Sequence, residues 1–202
     1  LNNFDNSVEM SPIRATDASC SGEVLVAPEL EQIRQEVENA IRGWSGPEWQ
    51  RAPEGKWSAA QILEHLLLTY TGTTKGLRRV MDSGEPTNKN PNVPHRLRKF
   101  VVIQLGFMPG GREAFKQIIP RDGLSADSMR RFYDALVAMD STLQDAERRF
   151  GKTTKLLDHP FLGPLNAQEW RIFHRTHTRH HLQQVAERVR GTKASAGRRM
   201  SA

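Results

Sequence analysis

Apolar residues return every three or four positions along stretch after stretch of this chain, and no segment worth defending alternates them one by one. Leu30, Ile33, Val37, Ile41 and Trp44 keep that spacing. So do Ile62, Leu66, Tyr70, Leu77, Val80 and Met81, and again Met129, Phe132, Leu136, Met139, Leu143, Ala146 and Phe150. A period of about 3.6 residues puts each set on one face of a helix, and such a face must be buried against another element. The expectation is an all-α protein.

Cap and breaker residues divide the chain further. Pro28 suits a first helical position, and Gly43 and Gly46-Pro47 end the first helix. Ser58 and Gln61 have capping-box spacing, with Trp57 placed to staple onto Ile62, and Ser83-Gly84 stops the second helix. Residues 85–94 hold Pro86, Pro91 and Pro94, which forbids a continuous helix there. A shorter helix is expected from His95 to about Leu105, followed by an irregular crossover through 106–111 and 120–123. Ser125 can cap the third long helix, with Asp127 in its first turn, Arg148 and Arg149 in its last, and Gly151 as its stop. Asn166 and Glu169 offer a second capping pair, opening a helix from Ala167 to about Arg190. The long crossover lets two helices of a four-helix bundle lie parallel. Residues 1–27 read as a leader without sustained period, 28–190 as the bundle, and 191–202 as a basic, disordered tail.

At 202 residues with 37% hydrophobic content the chain suits one domain. Its apolar runs are far shorter than the roughly 20 residues that cross a bilayer, so a soluble, cytoplasmic protein is expected. The chain opens at Leu1, so a targeting segment upstream of it stays open. The net charge of +6 invites a nucleic-acid reading, but Arg190, Lys193, Arg198 and Arg199 sit in the tail with no acid, leaving only +2 elsewhere. No nucleic-acid motif accompanies the charge. Cys20 is the only cysteine. It excludes an internal disulfide and a cysteine-rich zinc site, and it sits in a polar stretch with no positioned base.

Four of the seven histidines, His174, His177, His180 and His181, fall within eight residues of the last helix. His177 and His181 lie one turn apart on one face and could converge on one ion. His174 with His177, or His177 with His180, would also be close enough, so spacing alone leaves the pair open. His65 is the natural third ligand, because it sits mid-helix on an apolar stripe where an unpaired imidazole is costly to bury. Three imidazoles with free positions make a catalytic rather than a closed structural site. His95 and His159, beside proline-containing loops, read as structural or solvated. Thr178, not Glu, follows His177, which removes the metalloprotease reading.

With these residues in place the chain resembles the DinB-like superfamily of metal-binding helical bundles, which includes bacillithiol transferase-like and maleylpyruvate isomerase-like proteins. The resemblance spans about residues 28–190. It rests on Trp57-Ser58-Ala59-Ala60-Gln61-Ile62-Leu63-Glu64-His65-Leu66, on Gly163-Pro164-Leu165 with Trp170, and on His177-Thr178-Arg179-His180-His181-Leu182-Gln183-Gln184. It implies an up-down-down-up bundle, with metal ligands carried over onto His65, His177 and His181. It also implies a metal ion that activates a low-molecular-weight thiol, transferred to, or used on, an electrophile. The ion expected is divalent, zinc or nickel foremost with manganese or iron as others, though three imidazoles leave its identity open.

Gln61, Thr69 and Gln184 are candidates for orienting substrate or ligand, since Gln61 and Thr69 share the His65 face and Gln184 lies near His181. The partners expected are a small-molecule substrate and a second copy in a homodimer, with no membrane and nucleic acid disfavoured. The competing function is a non-catalytic metal-binding stress-response bundle.

Overall fold

The computed structural model describes residues 28–42, 49–87, 89–109, 115–125 and 128–199, with residues 189–199 given as helical backbone alone. The leader with Cys20, the glycine stops at 43 and 46, and Asp127 lie outside the described residues. What is described is mostly helical, with one two-stranded sheet.

The first helix, α1 (Pro28–Ile41), buries Leu30, Ile33 and Val37 and leaves Arg34 paired with Glu31 and Glu38 on its outer face. The second, α2 (Ala59–Ser83), starts at the expected capping box. Ser58 Oγ accepts the Gln61 N–H at 3.1 Å, and the Ser58 N–H donates to Gln61 Oε1 at 2.9 Å. Together they satisfy two backbone donors that the first turn would leave orphaned. Trp57 packs on Ala59, Ile62 and Val185, so the staple also ties α2 to the last helix. Gly84, at φ 71°, takes the left-handed conformation that ends the helix and returns its N–H to Val80.

The crossover departs from expectation in detail. Its helix, α3 (Val93–Lys99), begins earlier than His95, because the Asn92 side chain caps the His95 N–H at 2.8 Å and Pro94 fits the first turn. It then widens into a π-helical turn, Phe100–Gln104, which buries Val102 and Ile103. A 3₁₀ turn, Lys116–Ile118, follows. The third long helix, α4 (Met129–Phe150), is not capped by Ser125. The Ser125 carbonyl accepts the Ser128 N–H in a tight turn, and Ser128 becomes the cap position.

A hairpin between α4 and the last helix departs from the all-helical pattern that the apolar spacing predicts. Strand β1 (Leu157–His159) pairs antiparallel with β2 (Gly163–Leu165), with His159 opposite Gly163. His159 Nδ1 accepts the N–H groups of Phe161 and Leu162, both at 3.1 Å, which turns the chain. The hairpin rests on α2 at Gly76, where a Cβ would stand 2.6 Å from a Leu157 methyl. The last helix, α5 (Ala167–Arg199), opens on the expected reciprocal pair, with Asn166 and Glu169 side chains each taking the other's N–H at 2.9 Å. It continues past the expected end near Arg190 to Arg199, with no proline to stop it.

Helix α2 packs chiefly on α4 and α1 on α5, and α2 also meets α5. Tyr70 and Phe132 meet edge to face at 5.4 Å across α2 and α4. Burying such side chains fully is worth about 1.5–3 kcal/mol each. Buried Arg171 joins α5 to α4 through Asp140 at 3.1 Å and Glu147 at 2.8 Å. The α2–α5 seam brings His65 of α2 to His177 and His181 of α5.

Candidate metal centre

His65 comes from the middle of α2, and His177 and His181 come from consecutive turns of α5. All three are buried, and each offers a ring nitrogen within 4.8 Å of the others. His177 Nε2 is central, 3.3 Å from His65 Nε2 and 3.1 Å from His181 Nε2. Tetrahedral ligands roughly 2.0–2.1 Å from a zinc ion stand about 3.4 Å apart, so the cluster has nearly the spacing a metal needs.

His65 Nδ1 lies 2.7 Å from the Ile118 carbonyl, which only accepts, so Nδ1 carries the hydrogen and Nε2 a lone pair. Gln184 turns its carbonyl oxygen to His181 Nδ1 at 2.9 Å and its amide nitrogen to His180 Nε2 at 3.1 Å. His181 is thereby held in the same tautomer, with its Nε2 lone pair also facing His177. One proton on His177 Nε2 could bridge to only one neighbour, and His177 Nδ1 is buried without a partner. Two lone pairs thus converge on His177 Nε2, an arrangement that a divalent cation would satisfy.

Burial pushes all three imidazoles below the usual histidine range. For His65 it outweighs the Ile118 carbonyl, which acts upward. For His177 burial acts first and the neighbouring His181 and His65 add to it. His181 is pushed down to about 3 by burial and then by His65, against the upward pull of Gln184. Neutral imidazoles at neutral pH are what a divalent ion requires. Among the described residues no carboxylate or thiol joins the cluster.

The nitrogens face a cleft of about 1120 Å³. Trp57 stands beside His65 with ring centres 5.1 Å apart, and Phe173 stacks on His177 at 5.3 Å. Thr69 lines the cleft, but its hydroxyl donates back to the His65 carbonyl at 2.8 Å. Gln61 is spent on the α2 cap and is not part of the wall. His174 is fully buried against Thr73, with Nε2 3.2 Å from its hydroxyl, and does not reach the cluster. His95 packs against Gly163, while His159 lines the cleft as well as turning the hairpin. Trp57, Phe173 and the Ile118 carbonyl were not singled out from sequence as parts of the site. Phe173 could have been found by its spacing four residues before His177 on one helix, whereas Trp57, which precedes α2, and a backbone carbonyl leave no such signal.

Helices joined at a buried cluster of three imidazoles, open to a cleft, define a helical protein with a centre suited to a divalent metal. The model of the DinB superfamily matches residues 29–185. The chain belongs to the DinB superfamily, and the match takes in the whole of the imidazole cluster. No curated protein and no solved structure matches it. Among the described residues no helix is long and apolar enough to cross a membrane.

Proposed function

We propose that this chain is a divalent-metal-dependent enzyme of the DinB type, an up-down-down-up four-helix bundle that adds a low-molecular-weight thiol to an electrophilic small molecule. The observation that carries the reading is the meeting of two Nε2 lone pairs, from His65 and His181, on His177 Nε2. His65, His177 and His181 would hold a divalent ion, which would supply Lewis acidity for activating a thiol and polarising an acceptor.

The remaining work falls to the chain itself. The Ile118 carbonyl and Gln184 aim two of the imidazoles and raise their basicity as ligands. Trp57 and Phe173 shield the ligand edges from water. Gln184 holds His180 at the cleft wall, where its ring can relay a proton during the addition. Zinc or nickel is the ion proposed, with manganese or iron as others, while ligand type alone suits zinc, nickel, copper and iron about equally. A cytoplasmic setting and assembly as a homodimer belong to the same proposal.

The test is elemental analysis of the purified protein and its His177→Ala variant, followed by turnover of a panel of thiols and electrophiles by the zinc, nickel and manganese forms. Stoichiometric metal in the wild type alone, with thiol addition above the metal-free control, is expected. Stoichiometric metal without thiol binding or turnover would move the protein to a non-catalytic, metal-binding stress-response role.

A further inference from the structure

Most polar side chains around the cleft are bonded within the protein, and the larger part of its remaining surface is apolar, with Gln117 and Lys56 at its exposed mouth. Thr69 is bonded to the His65 carbonyl, Thr73 to His174, and Gln184 to His181 and His180. His159 Nδ1 accepts two backbone N–H groups. Of the charged groups in the wall, Asp158 is taken by Lys89 at 2.8 Å and by Thr87 at 3.1 Å. Arg188 donates to the Trp57 carbonyl at 3.0 Å and reaches Glu187, while Lys56 faces solvent. What the interior of the cleft offers a ligand is therefore chiefly aromatic and aliphatic surface, from Trp57, Phe115, Ile119, Phe161 and Phe173, with a polar end at the three Nε2 atoms.

Among the exposed large apolar side chains, two belong to the cleft wall. Phe115 is 49% exposed and Ile119 44% exposed, on either side of the turn whose Ile118 carbonyl holds His65. Large apolar side chains left open at the mouth of a cleft gain from a ligand that covers them. We infer that the acceptor substrate is a neutral, largely apolar molecule, an aromatic or long aliphatic body with a single polar head at the imidazole cluster, gripped by Phe115 and Ile119. The head rests on the metal reading above, but the apolar grip does not. The volume, about 1120 Å³, accommodates a bicyclic body together with a small thiol.

The experiment uses two near-isosteric fluorescent probes on the full-length chain, metal-free and zinc-loaded. Neutral N-phenylnaphthylamine is compared with its sulfonated counterpart, anilinonaphthalene sulfonate. The neutral probe is expected to bind roughly tenfold or more tightly than the anion in both forms, since burial of its rings is unopposed by desolvation of a charge. The double variant Phe115→Ser/Ile119→Ser should weaken neutral-probe binding by roughly tenfold or more, with metal content unchanged. Leu97→Ser, an exposed apolar residue of α3 outside the cleft wall, should leave it unchanged. Tighter binding of the anion, or loss of the neutral probe with Leu97→Ser rather than the double variant, overturns the substrate class. Absence of metal with the neutral-probe pattern intact overturns the metal reading and leaves the apolar grip standing.

Discussion

The Tyr70 and Thr178 hydroxyls meet 2.6 Å apart at the buried seam between α2 and α5. Thr178 is the neighbour of His177, and Tyr70 lies little more than a turn beyond His65, so this bond fixes the axial register that brings the two imidazoles together. Tyr70 is wholly buried, and burial pushes its phenol well above the usual range, so the group stays neutral and hydrogen-bonded at any ordinary pH. Replacing it leaves the Thr178 hydroxyl without that partner. Tyr70→Phe is expected to cost about 1–3 kcal/mol, measured by urea denaturation. A double-mutant cycle with Thr178→Val should recover a coupling of about 1 kcal/mol, and an additive cycle would show that the bond sets nothing.

The three ligand positions make a sharper set. His65→Ala, His177→Ala and His181→Ala should each abolish stoichiometric metal binding, while folded His95→Ala and His159→Ala retain it. His95 and His159 serve the hairpin and offer no nitrogen to the cluster. Elemental analysis of the five proteins decides it, and equal metal in the wild type and the His65 variant would dismantle the centre.

Much of this was legible in the sequence because it is carried by local chemistry. Ser58-x-x-Gln61 and Asn166-x-x-Glu169 form their capping pairs as written, and the stripe through Ile62, Leu66 and Tyr70 puts His65 inside. The i, i+4 pair on α5 faces one way because helical geometry leaves no alternative. The hairpin escaped notice since three-residue strands have no room to alternate, and its turn depends on His159 bonding to two amides rather than on a familiar turn pair. Ser125 looked like the α4 cap, but the helix begins only after the tight turn to Ser128. The apolar grip was beyond the sequence as well: Phe115 and Ile119 belong to the crossover, and their relation to His65 exists only once Ile118 folds back on α2.

Gln184 offers a graded test of the same centre. Its carbonyl oxygen fixes the His181 tautomer and its amide fixes His180, yet it donates nothing to an ion. Gln184→Leu should keep the fold and the metal stoichiometry while weakening metal affinity by roughly 10–100-fold. Competition with a chelator of known affinity measures it. Unchanged affinity would mean that helix packing alone orients His181.

Acid should destabilise the protein through histidines that bind no metal. Burial holds His174 down to about 3, with His159 adding to the effect, and burial holds His159 itself down to about 4. In the unfolded chain both titrate near about 6.5. Below that value the unfolded state takes up protons that the folded state refuses, so the stability these groups confer is complete above pH ~6.5 and declines as the pH falls toward the folded values. The slope is about 1.4 kcal/mol per pH unit for each group. Urea midpoints of chelator-treated protein should therefore drop between pH 7 and pH 5. In His174→Gln the drop should be shallower by one group's share, whatever the variant's stability at pH 7. Parallel pH profiles for wild type and variant would show that His174 is protonated in the folded state, against its burial beside Thr73 and Trp170.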